Sequence, residues 1–359
     1  MKIVIVTRSL GCGGAERVIA SLLTEWSSYK DVECVLVLME KKPFFYSVPD
    51  KIRIIEVLEN NKNILLSKIF QYNKLRKIIK SERPDVVLSL PEEIGIYVIL
   101  STLFINTKIV ISERNNPRLM PYKKITRILR IFAYNFCDGF IFQTQVARDY
   151  FPKKIQKKSI ILENPLNLSA LPSICQTTVN SIAYVGRLEK QKNVEMLIKA
   201  FKDFHTENGS YTLDIYGDGT QSDFLKILAK KLLPSNSYCF HGKKNDVLNE
   251  IIDASFFVMC SGYEGVPNAL IEAVACGIPC ISTDFSPSGP SFAIKDGFNG
   301  FIISQNDIAG LSASMKKIAI SSEYKRNAIF FSNEFKIRFD SKNVALNWYR
   351  YLQMVCKKK

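Results

Sequence analysis

Two carboxylates eight residues apart form the most chemically informative pair in the sequence. Glu264 lies in a Gly/Pro segment, and Glu272 lies in the apolar helical pattern that follows it. Pro267 suits the first turn of a helix, because the N–H that it lacks would have had no partner there. Gly277 and Pro279 are typical of a helix end. The pattern therefore predicts one carboxylate just before a short helix and the other inside it.

The start of this helix is predicted to bind an anion. Unpaired amide groups and the positive end of the helix dipole would meet at Gly265–Asn268. A carboxylate on each side suits a ligand with hydroxyl groups at both ends and a diphosphate in the middle. At helical rise, Glu264 and Glu272 are on the order of 10 Å apart, which fits the sugar and the ribose of a sugar nucleotide.

Two cations follow an apolar strand pattern at Ile182–Val185. Arg187 comes directly after the strand, and Lys192 lies in the loop that leads to the next helix. A planar guanidinium and a compact ammonium would together neutralise a diphosphate. We expect them to stabilise a departing nucleoside diphosphate without a metal ion, unless they are two ordinary surface cations.

Glycines follow several other strand patterns and are candidate ligand contacts. Gly13 and Gly14 open the first helix, where they fit a tight turn and a close approach to a ligand equally well. The dinucleotide fingerprint fails there, because Glu16 stands at the final glycine position. Gly217 and Gly242 also end strands, and their backbone groups are predicted to hold a nucleotide base.

A densely polar loop, Ser112–Arg118, follows a strand in the first half of the chain. Parallel sheets place such loops at the carboxyl edge, where ligands bind. Glu113 and Arg114 are therefore candidate site residues, with a solvated surface loop as the alternative.

Short apolar runs alternate with helical patterns in both halves of the chain, which predicts two parallel α/β sheets. The predicted strands are Lys2–Val6, Glu33–Met39, Val86–Leu90, Ile109–Ile111, Gly139–Phe142, Ser159–Leu162, Ile182–Val185, Thr212–Ile215, Tyr238–Phe240, Phe256–Met259, Pro279–Ser282 and Gly300–Ile303. We expect two Rossmann-like domains, 1–165 and 166–338, that face a central cleft. A linker is predicted within Asn164–Asn180, and a final helix in 339–359 is expected to cross back to the first domain.

Composition narrows the class of protein. The 359 residues contain 47% hydrophobic side chains, and the longest apolar run, Ile94–Ile105, is too short to span a membrane. The N-terminal apolar run is likewise too short for a signal peptide. Nine cysteines without a Cys-x-x-Cys pair predict reduced thiols in the cytoplasm. Because the sequence contains only two histidines, we do not expect a zinc site.

The net charge of +15 is uneven along the chain. Residues 1–170 carry 27 Lys/Arg and 16 Asp/Glu, whereas residues 171–359 carry 22 and 18. No interleaved basic and aromatic pattern typical of nucleic-acid modules occurs, so we expect no nucleic-acid partner. Two basic amphipathic patterns, Ile64–Ile79 and Tyr122–Phe136, would suit an anionic membrane surface or would simply pack on the sheet.

The motifs together resemble those of the retaining GT-B glycosyltransferases of glycosyltransferase family 4. The resemblance covers nearly the whole chain, and the motifs that carry it are GGAER, ENP, VGRLxxxK, GDG, FHG and SGYEGVPNALIEAVACGIP…DGFNGF. The block with the two glutamates is highly specific, and the N-terminal glycines are not. The resemblance implies a GT-B fold and a glycosyltransferase.

The resemblance also implies roles for single residues. Glu264 should contact sugar hydroxyls, Glu272 should hold the ribose, and Arg187 and Lys192 should contact the diphosphate. Gly14 should approach the donor from the other domain. The remaining predicted nucleotide-sugar contacts are Gly13, Gly217, Gly242, Gly265, Val266, Pro267, Asn268 and Leu270.

One departure from the family concerns a histidine that many members place near the donor sugar. No histidine precedes His205 here, and Glu113 and Arg114 are the expected substitutes, with Glu113 as a catalytic candidate. Members with a similar SERN-P loop tend to be bacterial surface-polysaccharide enzymes that extend polyprenyl-diphosphate-linked sugars. A lipid-linked saccharide acceptor and a peripheral place on the cytoplasmic face of the inner membrane follow from this likeness.

The sequence therefore predicts a metal-independent, retaining transfer of a hexose or N-acetylhexosamine from a UDP-sugar, in O-antigen, capsule or related glycan assembly. Three alternatives stay open. A hydrolase would use the two carboxylates as a catalytic pair, although glycosidases place them across the scissile bond. A sugar-nucleotide epimerase would share the architecture, and a nucleic-acid binder would explain the charge but not the glutamates.

Overall fold

The structure is a computed structural model that describes residues 1–11, 13–57, 64–286 and 289–357. Cys12 of the glycine loop therefore lies outside the described residues. The chain divides into two compact units. The first contains Met1–Pro165 together with Phe339–Lys359, and the second contains Leu166–Arg338.

The described residues of the first unit form a seven-stranded parallel sheet in the order β3-β2-β1-β4-β5-β6-β7. Its strands are β1 (Lys2–Thr7), β2 (Glu33–Leu38), β3 (Arg53–Glu56), β4 (Val86–Ser89), β5 (Lys108–Ser112), β6 (Gly139–Phe142) and β7 (Ser159–Ile161). Its helices are α1 (Gly14–Trp26), α2 (Ile64–Glu82), α3 (Gly95–Thr102), α4 (Lys124–Ala133), α5 (Gln145–Asp149), α6 (Lys153–Gln156) and α13 (Ser341–Lys357).

Strand β1 shows why this sheet forms. Its residues Ile3, Val4, Ile5 and Val6 have no exposed surface, and they alternate between two apolar clusters on opposite faces of the sheet. A strand that is covered on both faces has a continuous apolar sequence, because the side chains on both of its faces are shielded from water. This explains why periodicity identified the central strands easily.

The last helix, α13, belongs to the first unit. The Trp348 indole N–H donates to the Glu163 carbonyl at 3.3 Å, and the Tyr351 hydroxyl lies 2.5 Å from the Lys158 carbonyl. The Phe140 amide in turn donates to the Tyr351 hydroxyl at 2.9 Å. These bonds tie α13 to β6 and to the residues on either side of β7.

The described residues of the second unit form a six-stranded parallel sheet in the order β10-β9-β8-β11-β12-β13. Its strands are β8 (Val179–Val185), β9 (Thr212–Tyr216), β10 (Tyr238–Gly242), β11 (Ala254–Met259), β12 (Cys280–Thr283) and β13 (Gly300–Ile303). Helices α7 (Val194–His205), α8 (Ser222–Leu232), α9 (Val247–Ile251), α10 (Asn268–Ala275) and α11 (Ile308–Ala319) belong to this unit, and α12 (Glu323–Phe339) ends it.

Both predicted parallel α/β sheets are confirmed, with one strand missing from the prediction. Strand β3 pairs with β2 at the edge of the first sheet, from Val35 opposite Arg53 to Leu38 opposite Glu56. Its four residues include two charged side chains and are only partly buried. An edge strand exposes one side to solvent, so its apolar signal is weak.

Candidate active site

Two loops at the carboxyl edge of the second sheet hold the predicted cation and carboxylate. The first follows β8 and contains a short 3-10 turn at Lys190–Lys192; the second follows β11 and leads to α10. β8 and β11 are parallel neighbours, so their carboxyl ends meet at one edge of the sheet. The Gln191 side-chain amide donates to the Tyr263 carbonyl at 2.6 Å, and the Gly262 amide donates to the Gln191 carbonyl at 2.9 Å.

These backbone ties bring Lys192 and Glu264 into direct contact. The Lys192 ammonium donates a hydrogen bond to the Glu264 carboxylate in a close ion pair. Both side chains are mostly shielded, with 14% and 11% of their surface exposed. The two residues are 72 positions apart in sequence, and the structure brings them together as the resemblance implies for one ligand site.

The loop after β9 packs against the backbone of the Arg187 loop. Gly217 has a φ of +138°, and a Cβ there would lie 1.9 Å from the Gly186 carbonyl oxygen. The Gly217 amide also donates to the Gly242 carbonyl at 2.7 Å, which joins the ends of β9 and β10. Gly217 is therefore required by close backbone contact, while its predicted role at the nucleotide base stays a prediction.

Gly242 ends β10 with a φ of +67°, next to an irregularity in the pairing of β10 with β9. A Cβ at this position would have no heavy atom within 4 Å. The glycine is thus needed for its left-handed backbone conformation rather than for a tight contact. The open space beside it is compatible with the predicted approach of a base.

Helix α10 begins close to the predicted position. Pro267 is its extended N-cap and makes no side-chain cap bond, and Gly277 adopts a φ of +66° just after its end. The loop residue Gly265 precedes this start, so the amides that could receive a phosphate oxygen lie where the sequence places them. Their contacts with phosphate or sugar, including those of Val266 and Asn268, stay predictions.

Two predicted ligand contacts on α10 are buried. Glu272 is 2% exposed and Leu270 has no exposed surface. A contact with the ribose or with any part of a nucleotide requires these residues to become accessible when the ligand binds. By contrast, Arg187 is exposed, and its carbonyl accepts a hydrogen bond from the Tyr184 hydroxyl at 3.2 Å, so the side chain extends from a fixed backbone.

In the first unit, the glycine loop lies directly before α1. Gly13 is the N-cap of this helix, and Gly14 is its first residue. A Cβ on Gly13 would lie 2.2 Å from a carboxylate oxygen of Glu16, so this side chain folds back over the loop. The predicted contacts of Gly13 and Gly14 with the donor stay predictions.

The polar loop after β5 is buried rather than solvated. Glu113 is 1% exposed; its carboxylate accepts a hydrogen bond from the Tyr134 hydroxyl and one from Arg130 Nη1 at 3.2 Å. Burial raises the pKa of Glu113 to about 7, although the Arg130 charge opposes the shift. A direct catalytic role for Glu113 would need this enclosed carboxylate to reach a ligand, and that role stays a prediction.

Arg114 is also enclosed. Its side chain donates to Asn164 Oδ1 and lies over the Trp348 ring, 5.6 Å from the ring centroid. Burial lowers the pKa of the Arg114 guanidinium to about 10. The surface-loop alternative for this segment is therefore wrong, because water does not reach these two charges.

Glu92 is a positioning residue that the sequence reasoning missed. Its carboxylate accepts hydrogen bonds from the Arg114 backbone amide at 3.0 Å and from the Asn115 side-chain amide at 2.8 Å. Glu92 is 1% exposed. The sequence signal that could have identified Glu92 was a carboxylate shortly after strand β4, next to the predicted polar loop that follows β5. Within the described ranges, no group of three or more His, Cys, Asp or Glu side chains is placed to hold a metal ion.

Comparison with known proteins supports these two units separately. The family model described as Glycosyltransferase Family 4 matches residues 12–169, and the model described as Glycosyl transferases group 1 matches residues 175–331. Together they cover most of both units. The chain is a GT-B glycosyltransferase of the family 4 type.

Curated relatives of this glycosyltransferase act in bacterial glycan assembly. An N-acetylgalactosamine-N,N'-diacetylbacillosaminyl-diphospho-undecaprenol 4-alpha-N-acetylgalactosaminyltransferase of Campylobacter jejuni is 28% identical over 380 residues, covering 98% of this chain and 99% of the relative. A lipopolysaccharide 1,6-galactosyltransferase of Escherichia coli K12 is 24% identical, covering 88% and 89%.

Solved structures share the same fold at lower identity. The apo lipopolysaccharide outer core galactosyltransferase WaaB has a TM-score of 0.73 at 19% identity and covers 99% of both chains. HepE of Anabaena in complex with UDP and glucose has a TM-score of 0.83 at 15% identity, covering 98% of this chain and 99% of that one. These likenesses show the GT-B fold of the glycosyltransferase.

Proposed function

We propose that this glycosyltransferase transfers a hexose or N-acetylhexosamine from a UDP-sugar to a lipid-linked saccharide, with retention and without a metal ion. The product would enter bacterial O-antigen, capsule or related glycan assembly. The observation that carries the proposal is the Lys192–Glu264 pair at the carboxyl edge of the second sheet. It unites a cation for a phosphate and an acceptor for sugar hydroxyls in one shielded place.

The proposed role of each group follows from its chemistry. Arg187, Lys192 and the amides before α10 hold the charge that develops on the leaving diphosphate. Glu264 accepts hydrogen bonds from the sugar, and Glu272 accepts them from the ribose. The acceptor hydroxyl attacks the face that the diphosphate leaves, and it passes its proton to the departing phosphate oxygen.

The choice of donor and acceptor draws on the relatives. The Campylobacter relative is named for transfer of N-acetylgalactosamine to a diphospho-undecaprenol-linked saccharide, and a structural neighbour binds UDP and glucose. A second Campylobacter jejuni relative, 24% identical over 99% of this chain, is also named for an undecaprenol-linked acceptor. Together with the galactosyltransferase of lipopolysaccharide, these relatives favour a lipid-linked acceptor here.

We further propose that this enzyme lies at a membrane surface, the cytoplasmic face of the inner membrane by analogy with its relatives, and helix α4 supports the membrane contact. Its apolar side chains point to solvent: those more than half exposed on this helix and its flanks are Tyr122, Ile125, Ile128, Leu129, Phe132 and Phe136. We refer to these six as the α4 apolar face. The charged Arg130 of the same helix is 1% exposed and pairs with Glu113.

This orientation is the reverse of the usual packing of an amphipathic helix. Water meets isoleucine, leucine and phenylalanine while an arginine is buried, an arrangement that costs free energy unless something apolar covers the outer face. Exposed Lys123 and Lys124 at the start of the helix complement an anionic headgroup layer. None of the helices in the described part of the chain is long and apolar enough to cross a bilayer.

The test of the transfer begins with donor binding. The purified protein is mixed with a panel of nucleotide sugars, and the shift in melting temperature is recorded for each. A bound donor stabilises the fold by mass action, so UDP-linked hexoses or N-acetylhexosamines should raise the melting temperature more than GDP- or ADP-linked sugars.

The best donor is then incubated with polyprenyl-diphosphate-linked saccharides in detergent, and the anomeric configuration of the product is read by NMR. Transfer with retention, unaffected by a chelator, is the expected result. Release of free sugar without acceptor would support hydrolysis, and conversion of the donor alone would support epimerisation. Either outcome would overturn the proposal.

A further inference from the structure

A cysteine, a histidine and an aspartate lie together at the outer edge of the second sheet. Strand β10 is the edge strand, and its Cys239 pairs directly with Asp214 of β9. His241 lies two residues beyond Cys239, where the pairing with β9 becomes irregular, and the two side chains are in contact. None of these three residues belongs to the site described above.

The imidazole of His241 is fixed on both sides. Its Nε2 lies 2.7 Å from Asp214 Oδ1, and its ring stacks on Tyr216 with a centroid distance of 4.4 Å and an interplanar angle of 8°. Its Nδ1 lies 3.7 Å from the Cys239 sulfur, within hydrogen-bond reach for a thiol. The ring is therefore held between a carboxylate and a thiol.

The proton positions follow from the partners. Asp214 offers an acceptor to Nε2, so the tautomer that fits both partners carries its proton on Nε2 and presents the lone pair of Nδ1 to Cys239. The thiol then donates to Nδ1. An acid that orients a base, which in turn faces a nucleophile, is the arrangement that activates cysteine in unrelated proteins.

We propose that Cys239 is a nucleophilic thiol, activated by Asp214 and His241, which forms mixed disulfides with small-molecule disulfides. The thiol proton moves to His241 Nδ1 while the Cys239 sulfur attacks one sulfur of the small disulfide. The bond between the two sulfurs of that disulfide breaks, and the departing thiolate takes the proton from His241. The products are the mixed disulfide and one free small thiol.

Other cysteines lack this environment. Burial raises the thiol pKa of six described cysteines, which are Cys34, Cys137, Cys260, Cys276, Cys280 and Cys356. Cys239 is exposed, whereas Cys175 is only partly exposed, lies 3.4 Å from the Thr177 hydroxyl and has no imidazole beside it among the described residues. Cys175 is thus the natural comparison within the same molecule.

The experiment follows the reaction of the full-length protein with an aromatic disulfide that releases a coloured thiolate. Cys12, which the structure does not describe, is replaced by serine in every variant. Peptide mass spectrometry assigns each modified residue. At pH 7 an unactivated thiol is only a few per cent thiolate, so we expect Cys239 to react about tenfold faster than Cys175.

His241→Gln should slow Cys239 to the rate of Cys175, and Asp214→Asn should slow it by a smaller factor. Cys239→Ser should remove the fast phase. The rate of Cys175 in each variant reports whether the second unit is still folded. Equal rates for the two cysteines in the parent protein, or a Cys239 rate that His241→Gln leaves unchanged while Cys175 behaves normally, would overturn the proposal.

Discussion

The Lys192 ammonium and the Glu264 carboxylate form an ion pair at the carboxyl edge of the second sheet. In the proposed reaction each has another partner, a phosphate oxygen for Lys192 and sugar hydroxyls for Glu264. A nucleoside diphosphate without its sugar must therefore compete with Glu264 for the lysine. It also lacks the sugar hydroxyls that would donate hydrogen bonds to the Glu264 carboxylate. A complete donor satisfies both groups. The pair thus favours the binding of donor over the binding of spent nucleotide.

Glu264→Gln tests this competition. The amide keeps the shape but loses the charge, so transfer should fall roughly 10- to 100-fold in kcat/KM as charged hydrogen bonds to the sugar are lost. UDP should bind more tightly, by about fivefold, because a partly shielded ion pair of about 1 kcal/mol no longer holds Lys192. Titration calorimetry with UDP and steady-state kinetics with donor measure the two effects.

Two matched variants complete this comparison. Lys192→Ala should weaken UDP and donor alike. Glu195→Gln removes a carboxylate from an exposed pair with Lys199 on the following helix and should change neither quantity. If Glu264→Gln weakened UDP as much as Lys192→Ala does, Glu264 would be positioning the lysine rather than competing for it.

Gly217 and Gly242 provide a second test, because both have positive φ values but different surroundings. Gly217→Ala would place a Cβ 1.9 Å from the Gly186 carbonyl oxygen, whereas Gly242→Ala would meet no atom within 4 Å. We expect the first to destabilise the second unit by more than about 3 kcal/mol and the second by about 1 kcal/mol, from backbone strain alone.

Urea unfolding without nucleotide, followed by far-UV circular dichroism, measures the two costs. Gly217→Ala should also displace the Arg187 loop and abolish donor binding. Equal destabilisation by the two alanines would show that the loop after β9 moves aside easily.

The sequence predicted most of the fold because the sheet strands are covered on both faces and read as plain apolar runs. It also predicted the α10 boundaries, since Pro267 and Gly277 have strong local preferences at helix ends. It could not predict that Glu113 and Arg114 are enclosed. That result depends on Glu92, Arg130 and Asn164, which are distant in sequence.

Helix α4 shows a different limit. Its period identified the amphipathic pattern, but a period does not say which face meets the core. The burial of Arg130 beside Glu113 decides the direction, and that contact is tertiary. Helix α2 follows the ordinary rule only in its second half, where Leu75, Ile78 and Ile79 are buried in the core. Earlier in the same helix, Ile69 and Phe70 are exposed.

Glu113 predicts a pH dependence of stability in the first unit. Its pKa is raised from 4.5 to about 7, so the folded state binds a proton more tightly than the unfolded state does. The resulting stabilisation is complete below about pH 4.5 and is lost as the pH rises through 7. The full loss is roughly 3 kcal/mol for a shift of this size.

Glu113→Gln cannot titrate, so its stability should change less between pH 5 and pH 8 than that of the parent protein. Thermal unfolding of both proteins across this range measures the difference. Parallel stability curves for the two proteins would mean that Arg130 keeps Glu113 ionised throughout.

The last prediction concerns membrane binding by the α4 apolar face. Replacing Ile128 and Phe132 by glutamate places two charges where acyl chains would lie, and it removes apolar contact worth about 1.5–3 kcal/mol for each fully buried side chain. Binding to vesicles that contain anionic phospholipid should fall by more than tenfold in a flotation assay. Ile227→Glu is the matched control, because Ile227 is 69% exposed on α8 of the second unit and lies outside this face.

The lysines at the start of α4 test the contribution of charge. The double variant Lys123→Glu, Lys124→Glu should weaken binding to anionic vesicles much more than binding to neutral ones. If the Ile128 and Phe132 variant still floated with vesicles but changed from dimer to monomer in solution, a second copy of the chain, and not lipid, would cover this helix.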